Sequence, residues 1–489
     1  MCPGRGLLWL HPFRSASIVL GPIFPLKGRI GHYYAKFDKA IKTISNDRLT
    51  YQKDVEAYEA LNIYGENIVG TEGSAWKRHR TIAKTAFNES NHAFVWTETI
   101  RVINEWFTEL EEVAKTRGKA FTIDLLPALT QVTLLVVSSA GFGRRASWTE
   151  DSKTEPPPGH KIAFRPAVTS AVGNIITRAL TPGWIYNMSE KIHIPVVTPI
   201  LKETKQSFEA LGLHMLDVVS QARAWIAGGK TTQMDAALLR NLVEANMAQE
   251  VDSDQRRLTD EELLSDTFVF LLAGHETSAH SLCFSIALLA LYPEVQKKIL
   301  EEAMKLWPDA PPTLASHTEY TWAVFHETLR LFPPVARLAK NVHSDTVLNA
   351  RTFTTLPEGK IKDVQETYIS VKAGSMVIID VFGLHMNPIH WGEDVADFKP
   401  ERFIDTDTYR WPRDAFVAFS AGPRSCIGQR FAITESLCVL ASLVRKYEII
   451  LPDDLQGKPL EEQKRSLLHW TPSVTITPTG ARVRLRLRQ

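Results

Sequence analysis

The sequence is poor in cysteine and has no surplus of either charge. Four cysteines stand in 489 residues, Cys2, Cys283, Cys426 and Cys438, and no pair is spaced Cys-x-x-Cys. This pattern excludes a disulfide framework and the common zinc-binding spacings. The 56 Lys and Arg residues balance 55 Asp and Glu residues, which indicates that nucleic acid is not a partner.

No segment near the N-terminus reads as a membrane-spanning helix. The longest uncharged apolar stretch, residues 15–26, is interrupted by Pro22 and Pro25 and is shorter than the ~20 residues needed to cross a bilayer. No small-residue cleavage site follows it, as a signal peptide would require. We therefore predict an atypical N-terminal segment over residues 1–45, equivalent to a truncated anchor region, and a single domain over residues 46–489.

Helical periodicity dominates the rest of the chain. The apolar spacing predicts helices over residues 97–116, 125–140, 200–227, 261–291, 294–306, 321–331 and 431–446. Strand-like segments are short and are predicted over residues 337–348, 375–381 and 473–487. The predicted fold class is therefore mainly α with a minor β-rich region.

The best-specified predicted helix carries polar residues at its centre. Thr259 and Glu262 form a capping box at its start, and apolar residues on all sides predict that it is buried. A glycine costs about 1 kcal/mol in a helix, so Gly274 near Glu276 and Thr277 needs a reason. An acid beside a threonine can relay protons to a bound molecule. The alternative is a threonine bonded to its own helix and an ion-paired glutamate.

A second cluster surrounds Cys426. The cysteine lies in a loop with Gly422 and Gly428, directly before a predicted helix. The positive end of a helix dipole stabilises a thiolate, and glycines permit close approach of a flat ligand. Arg424, two residues before the cysteine, can bind a carboxylate. A buried structural cysteine needs none of these features.

Five motifs together resemble those of the cytochrome P450 family. They occur in the family order from about residue 45 to the C-terminus, and they include the oxygen-activation motif and the haem-ligand signature. In chain order they are Trp76-x-x-x-Arg80, Ala273-Gly274-x-Glu276-Thr277, Glu327-x-x-Arg330, Phe398-Lys-Pro-Glu-Arg402-Phe403, and Phe419-x-x-Gly422-x-Arg424-x-Cys426-x-Gly428.

The resemblance implies a P450-like fold with the haem between the long central helix and the helix after the cysteine loop. The domain over residues 46–489 would then be a haem-binding monooxygenase domain. Cys426 would be the metal ligand, as the axial thiolate of heme b (iron protoporphyrin IX). Phe419, Arg424 and Gly428 would lie around the haem on the cysteine side.

Further roles follow from the same resemblance. Ala273 and Gly274 would leave room for O2, while Glu276 and Thr277 would manage protons as the catalytic pair. Trp76, Arg80 and, by its position after Arg330, Lys340 would bind haem propionates. Glu327 and Arg330 could form an ordinary surface ion pair, but the resemblance favours a buried network with Arg402.

The implied activity is a monooxygenase that inserts one oxygen atom from O2 into a lipophilic small molecule by hydroxylation or epoxidation. Residues 162–187 and 190–211 would line the access route, and the stretch from Tyr64 to Phe87 resembles fungal members, which often serve terpenoid or polyketide secondary metabolism. Two alternatives stay open: a haem-thiolate isomerase or dehydratase acting without a reductase, and a non-catalytic haem-binding sensor. The Glu276–Thr277 pair argues against both.

The resemblance also implies partners and a location. No Gly-x-Gly-x-x-Gly fingerprint follows a predicted strand, so electrons would come from an NADPH-cytochrome P450 reductase, docking near Arg424, Arg430 and Lys446. We expect a monomer on the cytosolic face of the endoplasmic reticulum membrane, through peripheral membrane contact. A cytoplasmic location is the alternative, since no transmembrane helix is read from the sequence.

Overall fold

The computed structural model describes residues 32–35, 38–189, 195, 197–229, 236–248, 257–307, 318–355 and 361–488. Helix makes up 60% and strand 13%, so the predicted mainly-α class is confirmed. The apolar stretch at 15–26 lies outside the described residues.

The described residues form 17 α-helices. Seven of them match the predicted helices, mostly within a few residues at each end, and ten lie outside the predicted ranges. In chain order the 17 helices are α1 Asp38–Asn46, α2 Gly73–Lys84, α3 Glu89–Arg117, α4 Leu125–Phe142, α5 Trp148–Ser152, α6 Phe164–Gly173, α7 Ile175–Leu180, α8 Gly183–Ser189, α9 Val197–Ala227, α10 Ala237–Met247, α11 Asp260–Leu291, α12 Pro293–Leu306, α13 Glu319–Leu331, α14 Val381–His385, α15 Pro388–Trp391, α16 Gln429–Lys446 and α17 Leu460–Leu467.

The strands are short and scattered along the chain. In chain order they are β1 His32–Ala35, β2 Tyr51–Lys53, β3 Ala120–Asp124, β4 Arg337–Val342, β5 Thr346–Thr355, β6 Ile361–Val371, β7 Met376–Asp380, β8 Tyr447–Ile450, β9 Trp470–Pro472, β10 Ile476–Pro478 and β11 Arg482–Leu487.

The strand predictions need correction at several places, and β3, β8 and β9 lie outside every predicted range. The predicted strand over 337–348 is two strands, β4 and β5, and the segment over 473–487 holds β10 and β11 as separate strands. Strand β6 is not predicted, because most of its side chains are exposed and give no alternation. Neither β1 nor β2 is predicted, because their partners lie far away in sequence.

The chain divides into two compact units, which are described separately. The described parts of the first lie within residues 1–57, 319–426 and 464–480. Its main sheet has the strand order β1-β7-β4-β2, with β1 parallel to β7 and the other pairs antiparallel. Buried side chains of α1, β4, β7 and the segment before Phe419 share one hydrophobic core, so α1 belongs to the folded body of this unit.

The second unit comprises residues 58–318, 427–463 and 481–489. Helix α11 is its centre and packs most extensively against α4, while α16 packs against α3, α12 and α11. The predicted capping box of α11 is confirmed, with reciprocal Thr259 and Glu262 bonds. A small sheet, β3-β11-β8, lies at one side of the same unit.

Among the described residues, α4 is long and apolar enough to span a membrane, and α11 with α12 passes the same test as a pair bent by 108°. However, 78% of α4 is buried within the protein, and α11 and α3 pack against it. Such burial is typical of a core helix of a globular protein.

Candidate functional site

The cysteine loop is a tight turn in the first unit. The Cys426 N–H donates to the Phe419 carbonyl at 2.8 Å and closes the loop. Ser420 and Gly422 both have positive φ, 62° and 68°, and strain of this kind in a non-glycine residue is concentrated at functional sites. A Cβ on Gly422 would lie 2.5 Å from the Ser45 carbonyl oxygen of α1, so only glycine fits there.

Cys426 itself is exposed and is not in a disulfide, whereas Cys283 and Cys438 are buried. Phe419 and Arg424 are half-buried members of the same loop. Gly428 caps α16, and its carbonyl accepts from the Ala432 N–H at 2.9 Å. Among the described cysteines, one sulfur is therefore accessible and two are enclosed in the core.

A buried ion network lies in the same unit as the cysteine loop. Arg330 donates from Nε and Nη2 to the two carboxyl oxygens of Glu327 at 2.6 and 2.8 Å, and Arg402 Nε lies 3.5 Å from Glu327 Oε1. Burial favours a higher pKa for Glu327, and Arg330 opposes that rise. The buried three-way network is therefore confirmed, and the surface ion pair is excluded.

The central helix α11 is open at one turn. Residues 265–291 are all described, and among them Ala273, Gly274 and Thr277 are not buried. Positions i, i+1 and i+4 share one face of a helix, so these residues form a single opening in an otherwise enclosed helix. This is the turn that carries the predicted oxygen-activation motif.

Gly274 has a packing role in addition to the predicted one. A Cβ at this position would lie 2.7 Å from Cγ2 of Val137 in α4, so the glycine lets the two helices approach closely. Beside this contact, the Thr133 hydroxyl of α4 donates to the His275 carbonyl at 2.9 Å. Helix α4 therefore braces the back of the open turn.

The two predicted catalytic residues lie next to this opening. The Thr277 hydroxyl donates to the Ala273 carbonyl at 2.8 Å, which is the self-bonded arrangement that the sequence left as an alternative. Glu276 is 7% exposed. A threonine hydroxyl that donates within its helix still has oxygen lone pairs that accept, so this bond does not exclude a proton-handling role.

The predicted propionate-binding residues fall in both units. Trp76 and Arg80 share one face of α2, with the Arg80 guanidinium 5.7 Å from the Trp76 ring centroid. Lys340 lies on β4, between Lys53 of β2 and Val377 of β7, and is 7% exposed. The first unit holds Lys340, Phe419, Arg424 and Cys426, and the second holds Trp76, Arg80, Ala273, Gly274, Glu276, Thr277 and Gly428.

Glu435 is a buried acid that sequence reasoning missed. It lies on α16, is fully buried, and neither carboxyl oxygen has a hydrogen-bond partner of ordinary geometry among the described residues. Burial raises its pKa to about 8, although the Ser278 hydroxyl of α11 opposes the rise. A signal was present, because Glu435 stands on the apolar stripe of α16, four residues after Phe431 and three before Cys438.

Comparison with known proteins gives a consistent result. Residues 38–477 match the family described as Cytochrome P450. The chain is 36% identical to "Cytochrome P450 monooxygenase 124" of Postia placenta over 91% of this chain and 80% of that protein. It is 26% identical to "Cytochrome P450 monooxygenase ORF6" of Penicillium roqueforti over 89% and 76%. It is 27% identical to "Phomenoic acid biosynthesis cluster cytochrome P450 monooxygenase" of Leptosphaeria maculans over 83% and 71%.

Proposed function

The chain belongs to the cytochrome P450 family of haem-thiolate monooxygenases, and we propose that it inserts one oxygen atom of O2 into a lipophilic product of fungal secondary metabolism. The observation that carries the proposal is the opening at Ala273, Gly274 and Thr277 in an otherwise buried helix. A fold has no structural need for a polar, accessible turn there. A reaction beside the helix needs space and a source of protons, and the opening and its polar residues supply both.

The residues present fit a haem group. Cys426 is exposed and outside any disulfide, as a thiolate that binds an external iron has to be. A flat ligand could lie against the open turn of α11 without displacing core side chains. When bound by the Cys426 thiolate, haem would supply O2 activation, because electron donation from a thiolate sulfur favours cleavage of the O–O bond.

We assign proton handling to Thr277 and Glu276. The Thr277 hydroxyl is held against the Ala273 carbonyl, and rotation about one side-chain bond would aim its proton at the open face instead. The buried Glu276 carboxyl stands beside it in sequence and can replace the proton. Ala273 and Gly274, with a methyl group and no side chain respectively, keep space beside this hydroxyl.

Trp76, Arg80, Arg424 and Lys340 are proposed to hold the haem carboxylates. Each carries an N–H donor, and three of them carry a positive charge, which suits a propionate. Trp76 is buried, and the Arg80 guanidinium lies near its ring, so the pair is pre-ordered for such a role.

We propose an NADPH-cytochrome P450 reductase as the electron donor. Arg430 and Lys446 of α16 belong to the predicted basic face, and each has an acidic partner on α3: Arg430 pairs with Glu89 at 2.6 Å and Lys446 with Glu111 at 2.5 Å. Arg430 is still more than half exposed. A reductase would therefore compete with these acids for the two cations.

The apolar surface of α7, α8 and the start of α9 supports peripheral membrane contact and an endoplasmic reticulum location. Large exposed apolar side chains concentrate there: Ile176, Leu180, Trp184, Met188, Val197 and Ile200. Soluble monomers rarely expose a contiguous apolar patch without a function. The predicted access segment 190–211 falls partly outside the described residues.

The substrate proposal rests on this apolar surface and on the relatives. One relative is named for a phomenoic acid biosynthesis cluster, and that name supports a biosynthetic role. We propose a terpenoid or polyketide as the substrate class. Hydroxylation of a C–H bond or epoxidation of a C=C bond is the expected outcome.

One experiment tests the proposal. The purified holoenzyme is reduced and exposed to carbon monoxide, and NADPH consumption with a reductase is then measured with farnesol, lauric acid and naphthalene. We expect a thiolate-type spectrum and an oxygenated product identified by mass. Turnover with a peroxide alone would support the isomerase or dehydratase instead, and haem binding without oxygen reduction would support the sensor.

A further inference from the structure

His385 is a buried histidine whose two ring nitrogens both contact backbone. It ends α14 and is fully buried. Nδ1 lies 3.2 Å from the Arg330 carbonyl oxygen, and Nε2 lies 3.0 Å from the Val417 N–H. A carbonyl only accepts and a backbone N–H only donates. The ring must therefore be neutral, with its proton on Nδ1.

The surroundings of His385 maintain this form. The Phe416 ring stacks on the imidazole at 5.2 Å with an interplanar angle of 7°, and the ring of Trp391 meets it edge-on at 6.5 Å. Burial, and then the charge of Arg330, lower the pKa of His385 to about 3. A second ring proton would also face the Val417 N–H, where donor would meet donor.

One contact of His385 reaches the Glu327–Arg330 network, and the other reaches the segment before the cysteine loop. On one side, Arg330 belongs to the buried network with Glu327, and its Nη1 donates back to the His385 carbonyl at 2.9 Å. On the other side, the Val417 carbonyl accepts from Ser420 at 2.8 Å in the turn that leads to Cys426. The imidazole thus joins the ion network to the start of the cysteine loop.

We propose that His385 is a positioning residue that holds the cysteine loop at a fixed place relative to the Glu327–Arg330 network and so keeps Cys426 in its ligating position. The inference rests on the proposed function, because it takes Cys426 to be the haem ligand. Both anchors of His385 are backbone groups, so the side chain acts as a strut between two segments that are 55 and 32 residues away from it in sequence.

The test compares two buried histidines of the same unit. His385→Phe keeps the aromatic stack and removes both ring bonds, while His385→Gln retains one acceptor and one donor. His326→Phe is the matched control: His326 is also buried and packs on the same Phe416 ring at 5.2 Å, but its Nδ1 bonds to the Trp322 carbonyl of its own helix at 2.9 Å. The control therefore separates ring packing beside Val417 from the two ring bonds of His385. The holoenzymes are examined by amide hydrogen exchange and by the Soret band of the reduced carbon monoxide complex.

We expect His385→Phe to speed hydrogen exchange of the Val417 and Cys426 amides several-fold. We also expect part of the Soret absorption to shift to the wavelength of haem whose cysteine ligand is protonated or lost. His385→Gln should restore much of both signals, and His326→Phe should leave both at wild-type values even if it lowers the melting temperature. If His385→Phe does not fold, a His385→Gln protein with modestly faster exchange of the Val417 amide and a matching intermediate Soret shift supports the proposal, and a change in one signal without the other overturns it.

Equal exchange and equal spectra in His385→Phe and His326→Phe would overturn the proposal, as would a wild-type Soret band in a His385→Phe protein with faster exchange. The amide exchange does not depend on the identity of the ligand. If the wild-type spectrum were not of the thiolate type, the proposed function would fail, while the exchange data would still report on the strut.

Discussion

Glu327 and Glu435 are both fully buried, yet their surroundings are opposite. In the first unit, Glu327 accepts two hydrogen bonds from Arg330 and one from the Lys399 N–H at 3.0 Å. In the second unit, neither oxygen of Glu435 has an ordinary partner among the described residues. Burial therefore does not by itself decide whether a carboxyl group is charged; the partners decide.

The two acids accordingly do different work. Glu327 connects α13 to the segment that carries Arg402. It therefore stabilises the relative position of these two segments in the unit that holds the cysteine loop. Glu435 stays protonated at neutral pH beside Ser278, the residue that follows Thr277. The carboxylate of Glu327 is stabilised by its ion pair with Arg330, whereas the carboxyl group of Glu435 keeps its proton because water is excluded from it.

The largest effect is expected when the paired acid loses its partner. Arg330→Leu leaves Glu327 without its two-pronged donor, and breaking a buried pair in this way costs about 3–5 kcal/mol. Arg413→Leu removes an exposed ion pair with Asp405 in the same unit and should cost less than about 1 kcal/mol. Urea unfolding measures both; similar small losses would mean that the Glu327 network is not a stabilising feature.

Glu435, which has no ion pair among the described residues, should make the free energy of unfolding depend on pH. The pKa of Glu435 is about 8 in the folded protein against an ordinary 4.5, so the folded state binds the extra proton between these values. Stability from Glu435 is complete below about pH 4.5 and is lost as pH rises through 8, by up to about 1.4 kcal/mol per pH unit.

Glu435→Gln should remove this slope, so that the variant becomes more stable than the wild type above pH 8. Glu98→Gln is the control, because Glu98 is equally buried but pairs with Arg101 at 2.9 Å; it should destabilise. Thermal unfolding from pH 5 to 9 reads out both. Parallel curves for wild type and Glu435→Gln would show that Glu435 does not hold a proton.

Steric packing, rather than charge, limits the open turn of the second unit. Gly274→Ala would place a methyl group 2.7 Å from Cγ2 of Val137, and overpacking of this kind costs about 1–3 kcal/mol. Gly274→Ala combined with Val137→Ala should recover most of the loss. Gly173→Ala, where a Cβ meets open space, should have almost no effect. Failure of the double variant to recover would assign Gly274 another role.

The smallest effect is expected at the surface. Arg430→Gln breaks an exposed pair with Glu89 and should change stability by less than about 1 kcal/mol, in contrast to Arg330→Leu. It should nevertheless raise the reductase concentration needed for half-maximal NADPH consumption, increasingly at low salt. An unchanged reductase titration would remove Arg430 from the docking face.

Local signals made seven of the 17 described α-helices and the cysteine loop predictable. The capping box at Thr259 and Glu262 marked the start of α11, and the spaced residues from Phe419 to Gly428 marked the loop. These features depend on residues that are close together in the sequence, so helix propensity and residue spacing are enough to predict them.

The missed features depend on distant partners. His385 reads as an ordinary histidine until Arg330 and Val417 are placed on either side of it. The packing role of Gly274 requires Val137, and the protonated state of Glu435 requires a helix interior that seals it from water. Strand β6 was hidden because exposed strands carry no alternating pattern.

We propose that the Cys426 thiolate binds the haem iron. The most direct measurement is the reduced carbon monoxide spectrum of the wild type, Cys426→Ala and Cys438→Ala, purified with haem supplied. The wild type and Cys438→Ala should share a thiolate-type Soret band, and Cys426→Ala should lose it. A Cys426→Ala protein that binds haem with an unchanged Soret band would contradict the claim.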